Sequence, residues 1–417
     1  DAVLSFAASV AGTAALTMAA FLVVGLGAVN ARAGSTATVV PDHSAQLSAA
    51  GASAMASNQW LSITISLALR DQTDLKKLLH DQQDPSSPQY HHWLTPTQFV
   101  SRFGPADSAV AAVKAWLRGK GFAVAAMKPG STRLHASATV AQAEHAFSTK
   151  MLSTSDGKLF GNASPAKVPE QFAAIVSDIR GLDNLSHSHP NLRRSGTLPV
   201  PITRAGSKAP EFTIGNGVNA FAPADVYTFY NEMPLFNAGQ KGGDNDCAAV
   251  IEDSDFNFVA IDGFEALFPG GNGSVTAVYP DGSSPGINGD ELETELDIEW
   301  AHAIAPDAAI RAYIGAGTDP LVDAISAAVS DNLCGSVDIS FGFCGAPNSF
   351  FTGTLDPLFQ QAAAQGQSIF VSSGDEGAAG IVLNRSGTGC IAGTTRNVNE
   401  MSADPFATAI GGTQCEP

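Results

Sequence analysis

The sequence predicts an α/β protein built on a doubly wound parallel sheet and preceded by a smaller α+β domain. From residue 247 onward, short apolar runs alternate with helical stretches, which is the pattern of a parallel sheet with helices on both faces. From residue 61, the order is strand, helices, two strands, helix and strand, which is typical of a split βαβ domain. A polar segment rich in Pro and Gly separates the two, and 417 residues suit two or three domains.

The composition excludes several classes of partner. The 22 Lys and Arg residues stand against 40 Asp and Glu residues, and the net charge of −18 argues against nucleic acid and anionic membrane surfaces. A surplus of carboxylates approaches neutrality in acid, so the chain suits acid conditions. Only 15% of residues are charged and 44% are apolar, which is typical of a globular secreted protein.

The first 33 residues are predicted to be the remnant of a secretory signal peptide. Residues 14–29 form an apolar run, and Ala31-Arg32-Ala33 places small residues where a signal peptidase reads them. The chain begins at Asp1, so the basic start of such a signal is missing. A membrane anchor is the alternative, although Gly25 and Gly27 interrupt the run, which is short for a span.

The smaller domain is predicted over residues 34–190, and no cluster of site-type residues lies on it. Its predicted strands are residues 61–69, 122–127 and 132–138, and its predicted helices are residues 74–80, 108–119 and 140–147. A further helix begins after Thr95, with Pro96 at its first position. Residues 186–215 are polar, basic and rich in Pro and Gly, which predicts an exposed connector without regular structure, open to proteolysis.

The larger domain is predicted over residues 216–417. Its predicted strands are residues 247–251, 275–279, 309–313, 337–341, 368–372 and 407–410, and its predicted helices are residues 258–267, 290–304, 321–329 and 354–364. Ligands of such sheets bind at the carboxyl ends of the strands. Two of these ends carry candidate residues, Ser340-Phe341-Gly342 and Gly374-Asp375.

The helix at residues 290–304 is acidic at its start. Asp290 is the expected N-cap, and Glu293 and Asp297 lie four residues apart, so their carboxyl groups share one face of the helix. Acids in a first helical turn more often form a solvated face, as expected for Glu291, Glu295 and Glu299. The surrounding sequence favours a functional pair.

That surrounding sequence resembles the sedolisins, the serine-carboxyl peptidases. Glu-x-x-Leu-Asp at residues 293–297, followed by Ala-x-Ala-Pro-x-Ala at residues 303–308, is similar to their catalytic helix. The segments that carry the rest of the resemblance are residues 87–105, 221–231, 249–257 and 406–413. The resemblance covers most of residues 87–417 and implies a proenzyme of the kumamolisin type. Residues 34–190 would be its activation propeptide, 191–215 its processing linker, and 216–417 the amino-terminal part of a subtilisin-like catalytic domain.

The resemblance also implies roles for individual residues in a Ser-Glu-Asp triad. Glu293 would be the general base, Asp297 would hydrogen-bond and tune it, and Asp375 would donate a hydrogen bond to the oxyanion while protonated. Substrate would pair as an extended strand with Ser340, Phe341 and Gly342, and Gly374 would let the backbone approach it. A carboxylate base still accepts a proton where a histidine no longer can, so activity is expected in acid and should fall towards neutral pH.

The sequence departs from the family at the nucleophile. The expected Gly-Thr-Ser motif downstream of Asp375 is missing, and Ser386-Gly-Thr-Gly389 has glycine where the serine would stand. The expectation is therefore a fragment, inactive as given, whose serine lies beyond Pro417. No metal or cofactor is expected in this chain, and the calcium site of the family is expected in the missing part.

Two other functions compete with that of a serine-carboxyl peptidase. A Ser-His-Asp hydrolase is disfavoured because His302 is the one histidine of the larger domain and lies in no fitting motif. A non-catalytic secreted binding protein on a peptidase scaffold is the alternative, although it would need none of the three acids. The expected partners are protein or peptide substrates and the chain's own propeptide as an intramolecular inhibitor. Neither nucleic acid nor, after signal removal, a membrane is expected, and the protein is expected to be an extracellular monomer.

The five cysteines lie in the second half of the chain, at residues 247, 334, 344, 390 and 415. In an exported protein they are expected to form disulfides. Cys334 and Cys344 flank one predicted strand, and Cys390 and Cys415 are the other natural pair, but spacing alone leaves the pairing open. The odd number leaves one thiol without a partner in the chain.

Overall fold

The structure is a computed structural model, and it describes residues 36–192, 203–204, 211–214, 218–243, 247–268 and 271–412. The predicted signal peptide, most of the predicted linker and Cys415 lie outside these residues. None of the helices among the described residues combines the length and apolarity that a membrane crossing requires.

The amino-terminal region, residues 36–190, is an α+β structure. Its strands are β1 (Thr36–Val40), β2 (Ser53–Ala54), β3 (Trp60–Leu67), β4 (Ala123–Val124), β5 (Arg133–Thr139), β6 (Met151–Ser153), β7 (Phe160–Asn162), β8 (Ala166–Pro169), β9 (Val176–Arg180) and β10 (His187–Pro190). Its helices are α1 (Ser44–Ala49), α2 (Gln72–Gln83), α3 (Pro96–Phe103), α4 (Asp107–Gly119) and α5 (Val140–Phe147).

A four-stranded antiparallel sheet in the order β4-β5-β3-β9 organises this region. The order of elements along the chain is the predicted one, and β5 lies between the two strands that the first helices connect. The side chains of Thr95 and Thr139 each accept a hydrogen bond from the backbone N–H of the Gln three residues later. In both caps the side-chain oxygen of that Gln accepts a hydrogen bond from the backbone N–H of the Thr. Pro96 occupies the first turn of α3, as predicted.

The carboxyl-terminal region, residues 218–412, is an α/β structure. The remaining strands are β11 (Thr203–Arg204), β12 (Glu211–Ile214), β13 (Val218–Phe221), β14 (Cys247–Glu252), β15 (Ser274–Val278), β16 (Ala309–Ile314), β17 (Ser336–Ile339), β18 (Phe341–Cys344), β19 (Ser368–Ser372), β20 (Ile381–Leu383), β21 (Cys390–Ala392) and β22 (Ala407–Ile410). The helices are α6 (Pro223–Phe229), α7 (Met233–Asn237), α8 (Phe258–Leu267), α9 (Glu291–Ile304), α10 (Pro320–Asp331), α11 (Asn348–Phe350) and α12 (Asp356–Gln365).

Six parallel strands in the order β15-β16-β14-β17-β19-β22 form the main sheet. Its two faces are covered by different helices. Val250 of β14 packs with Ile261 of α8 and Ile298 of α9, whereas its neighbour Ile251 packs on the opposite face with α10 and α12. The prediction of a parallel sheet with helices on both faces is confirmed for these strands.

Three adjacent strands bring their carboxyl ends together at one edge of this sheet. β14 ends at Glu252, its neighbour β17 ends at Ile339, and the next strand, β19, ends at Ser372. Helix α9 packs against β14 and β16. The acidic start of that helix and the three strand ends therefore share one side of the molecule.

Two predictions for segments near this edge were wrong, one of a strand and one of a connector without regular structure. The predicted strand 337–341 breaks at Ser340, because the chain leaves the parallel sheet after β17 and continues as β18, which pairs with β10. The predicted connector at residues 186–215 was expected to lack regular structure, yet His187–Pro190 is that partner strand. Its partner lies about 150 residues away in sequence, so local polarity could not reveal the pairing.

The disulfide bonds also differ from the pairs suggested by the sequence. Cys247 bonds Cys334, and Cys344 bonds Cys390, instead of Cys334 bonding Cys344 and Cys390 bonding Cys415. Cys247 begins β14 and Cys334 precedes its neighbour β17, so the first bond joins adjacent strands. The second bond ties the end of β18 to the start of β21, and because several helices and strands lie between them in the sequence, spacing gave no sign of this pair.

A buried ion-pair cluster joins the two regions. Arg133 of β5 lies 3.0 Å from Asp319 and 3.0 Å from Asp323, at the start of α10, and its side chain is 1% exposed. Thr354 donates a hydrogen bond of 3.0 Å to Asp178 of β9 and shares one of 2.8 Å with Ser66 of β3. The sheet of the amino-terminal region thus packs directly on helices of the carboxyl-terminal region.

Candidate active site

Helix α9 turns two acids inward. Glu293 is 4% exposed and Asp297 is 6% exposed, in the first two turns of the helix, and residue 290 occupies the predicted N-cap position. The solvated-face interpretation of this pair is therefore wrong. It suits Glu291 and Glu295 better, since both are only partly buried.

Ser340 lies beside the two acids. Its hydroxyl donates a hydrogen bond of 3.0 Å to Asp297 Oδ1, and its proximity lowers the pKa of Glu293 slightly against the larger effect of burial. Ser340 sits at the break between β17 and β18, where the chain leaves the sheet. Asp297 thus accepts from Ser340, and its predicted hydrogen bond to Glu293 stays a prediction.

Two further acids, Glu252 and Asp338, complete a buried cluster of carboxyl groups. Glu252, at the end of β14, is 0% exposed, accepts a hydrogen bond of 3.0 Å from Thr294 Oγ1 and reaches the carboxyl group of Asp297. Asp338 of β17 is partly buried, and its charge acts on both Glu293 and Asp297. We call Glu252, Glu293, Asp297 and Asp338 the acid cluster.

Burial governs the protonation of the acid cluster. Burial raises the pKa of Glu293 to about 7, and the charge of Asp375 adds to the effect. Burial also raises the pKa of Asp297 well above its ordinary value, with further contributions from Asp338 and Glu293. For Glu252 the same upward pKa shift comes first from burial and then from Asp297, and burial raises the pKa of Asp338 to about 6.

The acid cluster must therefore hold protons. Within the described part of the chain, Glu252 Oε1, Glu293 Oε2 and Asp297 Oδ2 are buried and lack a hydrogen-bond donor. A proton on one carboxyl group supplies a donor to its neighbour, and groups this close release protons as a set. Such a set can accept one proton without creating an isolated buried charge.

Asp375 lies on the loop that follows β19. It is exposed, and its charge acts on Glu293 across the crevice at the strand ends. Gly374, just before it, has a φ of +95°, a conformation that favours glycine. The structure thus brings together Glu293, Asp297 and Asp375, the three acids that the sequence singled out.

The crevice beside these acids contains a segment of the chain itself. β10 runs antiparallel to β18, with His189 opposite Gly342 and Pro190 opposite Phe341. The next residue, Asn191, donates its backbone N–H to the carbonyl oxygen of Ser340 at 2.8 Å. The predicted substrate-pairing residues Ser340, Phe341 and Gly342 thus all face residues 189–191.

Comparison with known proteins accounts for both regions. Residues 48–185 match the family described as pro-kumamolisin, activation domain. The chain is 30% identical to sedolisin of Pseudomonas sp. (strain 101) over 393 residues, which cover 90% of this chain and 64% of sedolisin. The resemblance to the sedolisin family that the sequence indicated is thereby confirmed. The chain's activation domain is of the kumamolisin type, as the sequence predicted.

Two other members of the sedolisin family match over shorter shares of their length. Identity is 26% to xanthomonalisin of Xanthomonas sp. (strain T-22), over 91% of this chain and 48% of that protein. It is 27% to kumamolisin of Bacillus sp. (strain MN-32), over 62% of this chain and 45% of that protein. The chain therefore spans between 45% and 64% of the length of these three relatives.

Sequence reasoning missed several residues around the acid cluster and β18. Glu252 was noted only as part of a core strand, although an acid at the carboxyl end of a buried parallel strand is itself a signal. Asp338 gave a similar signal, as an acid inside an apolar strand. Asn191, Ser372 and Asn399, which meet beside β18, gave no local signal because only the tertiary fold brings them together.

His302 pairs with Glu265 at 2.8 Å, in the last turn of α9 and away from the acid cluster. No group of three or more His, Cys, Asp or Glu side chains within the described ranges is arranged to hold a metal. The calcium site expected outside this chain stays a prediction.

Proposed function

We propose that this protein is the proenzyme of an acid-acting serine-carboxyl endopeptidase, which hydrolyses peptide bonds of protein or peptide substrates. The observation that carries the proposal is the buried acid cluster beneath an edge strand, β18, that already pairs with an extended segment. Edge strands that bind extended peptides through backbone hydrogen bonds are a recurrent mode of peptide recognition. The similarity to sedolisin and to the pro-kumamolisin activation domain also supports peptide-bond hydrolysis.

Glu293 is assigned the role of general base in a Ser-Glu-Asp triad. Because the acid cluster titrates as a set, the negative charge left when it loses its first proton is shared among its members. That charge can accept the proton of a serine hydroxyl at a pH where a histidine is already protonated. Asp297 tunes Glu293, and the hydroxyl of Ser340 donates to Asp297.

Asp375 is assigned to the oxyanion. A carboxyl group can donate a hydrogen bond to a developing oxyanion only while it is protonated, and a carboxylate would repel the oxyanion. Activity is therefore expected to fall as pH rises, because the acid cluster gains further negative charge. The nucleophilic serine is assigned to a part of the catalytic domain outside these 417 residues, so that this piece alone should not cleave peptides.

The amino-terminal region is assigned the role of an intramolecular inhibitor. Residues 187–191 fill the crevice beside β18 as a substrate would, and Arg133 and its two acids hold the region in place. Cleavage within the linker, at residues 191–215, would release the enzyme. On this proposal residues 216–417 begin a subtilisin-like catalytic domain, and calcium binds in its carboxyl-terminal part.

Location and remaining partners follow from composition. Two disulfide bonds and a net charge of −18 suit an extracellular protein that works in acid as a monomer. The same charge disfavours binding to nucleic acid or to an anionic membrane.

The decisive experiment is Glu293→Gln in the full-length protein, with Glu291→Gln as the matched control on the same helix. Glu293→Gln keeps the shape of the side chain but removes the base, so hydrolysis of a denatured protein substrate at pH 4 should fall by about 100-fold or more. Glu291→Gln should leave the rate within about twofold, because that side chain lies outside the acid cluster.

Rates are to be measured from pH 3 to pH 7 on enzyme that has lost its amino-terminal region. A Glu293→Gln enzyme as fast as the Glu291→Gln control would remove the acid cluster from catalysis and overturn the assignment. An activity that peaks at neutral pH would contradict the role of Asp375.

A further inference from the structure

We propose that Asn191 fills the subsite for the residue before the scissile bond, that this subsite selects a short carboxamide side chain, and that the proenzyme cleaves itself between Asn191 and Leu192. This inference rests on the peptidase function proposed above and extends it to the identity of the preferred substrate. It assigns one bond within the predicted linker.

The position of the bond follows from the ladder between β10 and β18. The two strands run antiparallel, so residues 187 to 190 run from the end of β18 towards its start, which lies beside the acid cluster. The ladder ends where Asn191 donates its N–H to the carbonyl oxygen of Ser340 at 2.8 Å. The hydroxyl of that same Ser340 donates to Asp297 at 3.0 Å. Asn191 is thus the residue of the segment that is paired beside the catalytic acids, and its own carbonyl carbon is the one next in line.

The side chain of Asn191 lies in a polar pocket at the end of β19. Its Nδ2 atom donates one hydrogen bond of 2.9 Å to the carbonyl oxygen of Ser372 and another of 2.8 Å to Ser372 Oγ. Both amide hydrogens are thereby used. The carbonyl oxygen of Ser372 accepts only, so a carboxylate in this place would face a second acceptor. The pocket therefore distinguishes Asn from ionised Asp.

The pocket is also short, because glycines form two of its walls. A β-carbon on Gly342 would lie 3.0 Å from Asn191 Oδ1, and one on Gly374 would lie 3.4 Å from the same atom. Asn399 fixes the two walls relative to each other, since its Nδ2 donates to the carbonyl oxygens of Ser372 at 2.9 Å and Phe341 at 3.1 Å. A longer side chain such as Gln or Leu would have to displace these walls.

The net reaction is hydrolysis of one peptide bond. Water adds across the bond between the carbonyl carbon of Asn191 and the nitrogen of Leu192, and the C–N bond breaks. The hydroxyl oxygen stays on Asn191 as a new terminal carboxyl group, and the nitrogen leaves with a proton as the new amino terminus, Leu192.

The first test is the site of self-processing. The full-length proenzyme is brought to pH 4, and the new amino terminus is sequenced at the earliest time that a product appears. Leu192 is expected in the parent and in Asn237→Leu, a control that changes an exposed asparagine of α7. In Asn191→Leu the same product should form at least 10-fold more slowly, and in Asn191→Asp the same loss is expected when the test is repeated at pH 5, where an ordinary Asp is ionised. A first cut at another bond in the parent would overturn the assignment.

The second test is the preference of the mature enzyme. Octapeptides His-Ser-His-Pro-X-Leu-Arg-Arg, with Asn, Asp, Gln, Ala or Leu at X, follow the sequence of residues 187–194. We expect kcat/KM for Asn to exceed that for Leu, and at pH 5 that for Asp, by about 10–100-fold, since sites built to hydrogen-bond a polar group reject analogues that lack it. Ser372→Ala should narrow the Asn-to-Leu ratio by removing one of the two acceptors.

The outcomes separate this inference from the peptidase function. If the mature enzyme cleaves these peptides but treats Leu or Asp at X as well as Asn, the pocket assignment is wrong and the peptidase function stands. If neither the proenzyme nor any peptide is cleaved, and Glu293→Gln behaves as the parent does, both assignments fail.

Discussion

Glu293 is a carboxyl group that folding keeps protonated. Its pKa is raised to about 7 by burial and by Asp375, against 4.5 for an ordinary Glu. Between these two values the folded protein binds a proton that the unfolded chain has released. The stability that this proton provides is complete below about pH 4.5 and is lost as pH rises through about 7.

Glu293→Gln should therefore stabilise the proenzyme at pH 8 and leave it unchanged at pH 4.5. Gln is neutral at every pH, so it avoids the cost of burying a charge, and the difference between the two pKa values corresponds to about 3 kcal/mol at most. Calorimetric melting temperatures at the two pH values measure the effect, and a gel confirms that the chain is intact after each scan.

The partner measurement uses Glu291→Gln, which should show the pH dependence of the parent. Equal stabilisation of Glu293→Gln at both pH values would mean that Glu293 is ionised in the folded protein, contrary to its burial beside three other acids.

Among the elements, β18 is the one that binds the segment in the crevice. Its pairing partner among the described strands is β10, and the Cys344–Cys390 bond ties its last residue to the β20–β21 hairpin. Cys390 Sγ also lies 3.6 Å from the carbonyl oxygen of His187. The disulfide therefore holds the strand, the hairpin and the bound segment as one wall.

Replacing both cysteines of this bond by serine should loosen that wall. The bond closes 46 residues, for which the chain-entropy relation gives about 4 kcal/mol of stability. In the mature enzyme we expect KM for a peptide substrate to rise by about 10-fold with a smaller change in kcat, because substrate pairs with β18 before reaction.

The Cys247–Cys334 bond provides the comparison, since it joins β14 to the start of β17 below the crevice. Its double serine variant should lose stability to a similar extent while keeping the KM of the parent. If KM changes equally in both variants, the effect is general unfolding and β18 has no special role.

Elements with strong local signals were predicted well. Helix α8 and strands β19 and β22 begin and end at the predicted residues, and α9 follows the predicted N-cap, Asp290. Each has a clear apolar period and a polar or glycine boundary. The strand predicted at residues 122–127 is shorter in the structure, where only β4 forms. β4 lies at the edge of its sheet and pairs with one neighbour, so fewer of its residues are held by hydrogen bonds between strands.

At the scale of the whole molecule, the two regions are held by a buried charge. Arg133 is enclosed with Asp319 and Asp323, and Arg180 lies 3.6 Å from Asp319. Removing one member of a buried ion-pair cluster is costly because its partners stay buried without compensation. Arg133 is thus the central cation of this part of the contact.

Arg133→Met should lower the free energy of unfolding of the proenzyme by about 3–5 kcal/mol. It should also loosen the amino-terminal region from the crevice, so that limited digestion by trypsin at pH 7.5 releases this region sooner. Denaturant titration and gel analysis measure the two effects.

Arg118→Met, an exposed arginine on α4, is the control and should change neither. Adding Asp319→Asn and Asp323→Asn to Arg133→Met should restore part of the stability, since no unpaired charge then remains. No recovery would indicate that the packing of the arginine, rather than its charge, holds the regions together.

Contacts between the regions mark the limit of sequence reasoning. The acids of the site were found because Glu293 and Asp297 belong to one helix and Asp375 follows one strand. The arrival of β10 beside β18, the partners of Arg133 and the meeting of Asn191 with Ser372 all join residues more than 140 positions apart. No local period or turn signal encodes them, since they depend on how two separately predicted layers pack.

The pairing of β10 with β18 affects the timing of activation. Hydrolysis after Asn191 would sever the chain but leave the severed end lodged in the crevice, anchored by an entire folded region. The enzyme would begin its life as a complex with its own first product. Onset of activity would then lag behind scission, and its pace would be set by dissociation of that product, which dilution favours.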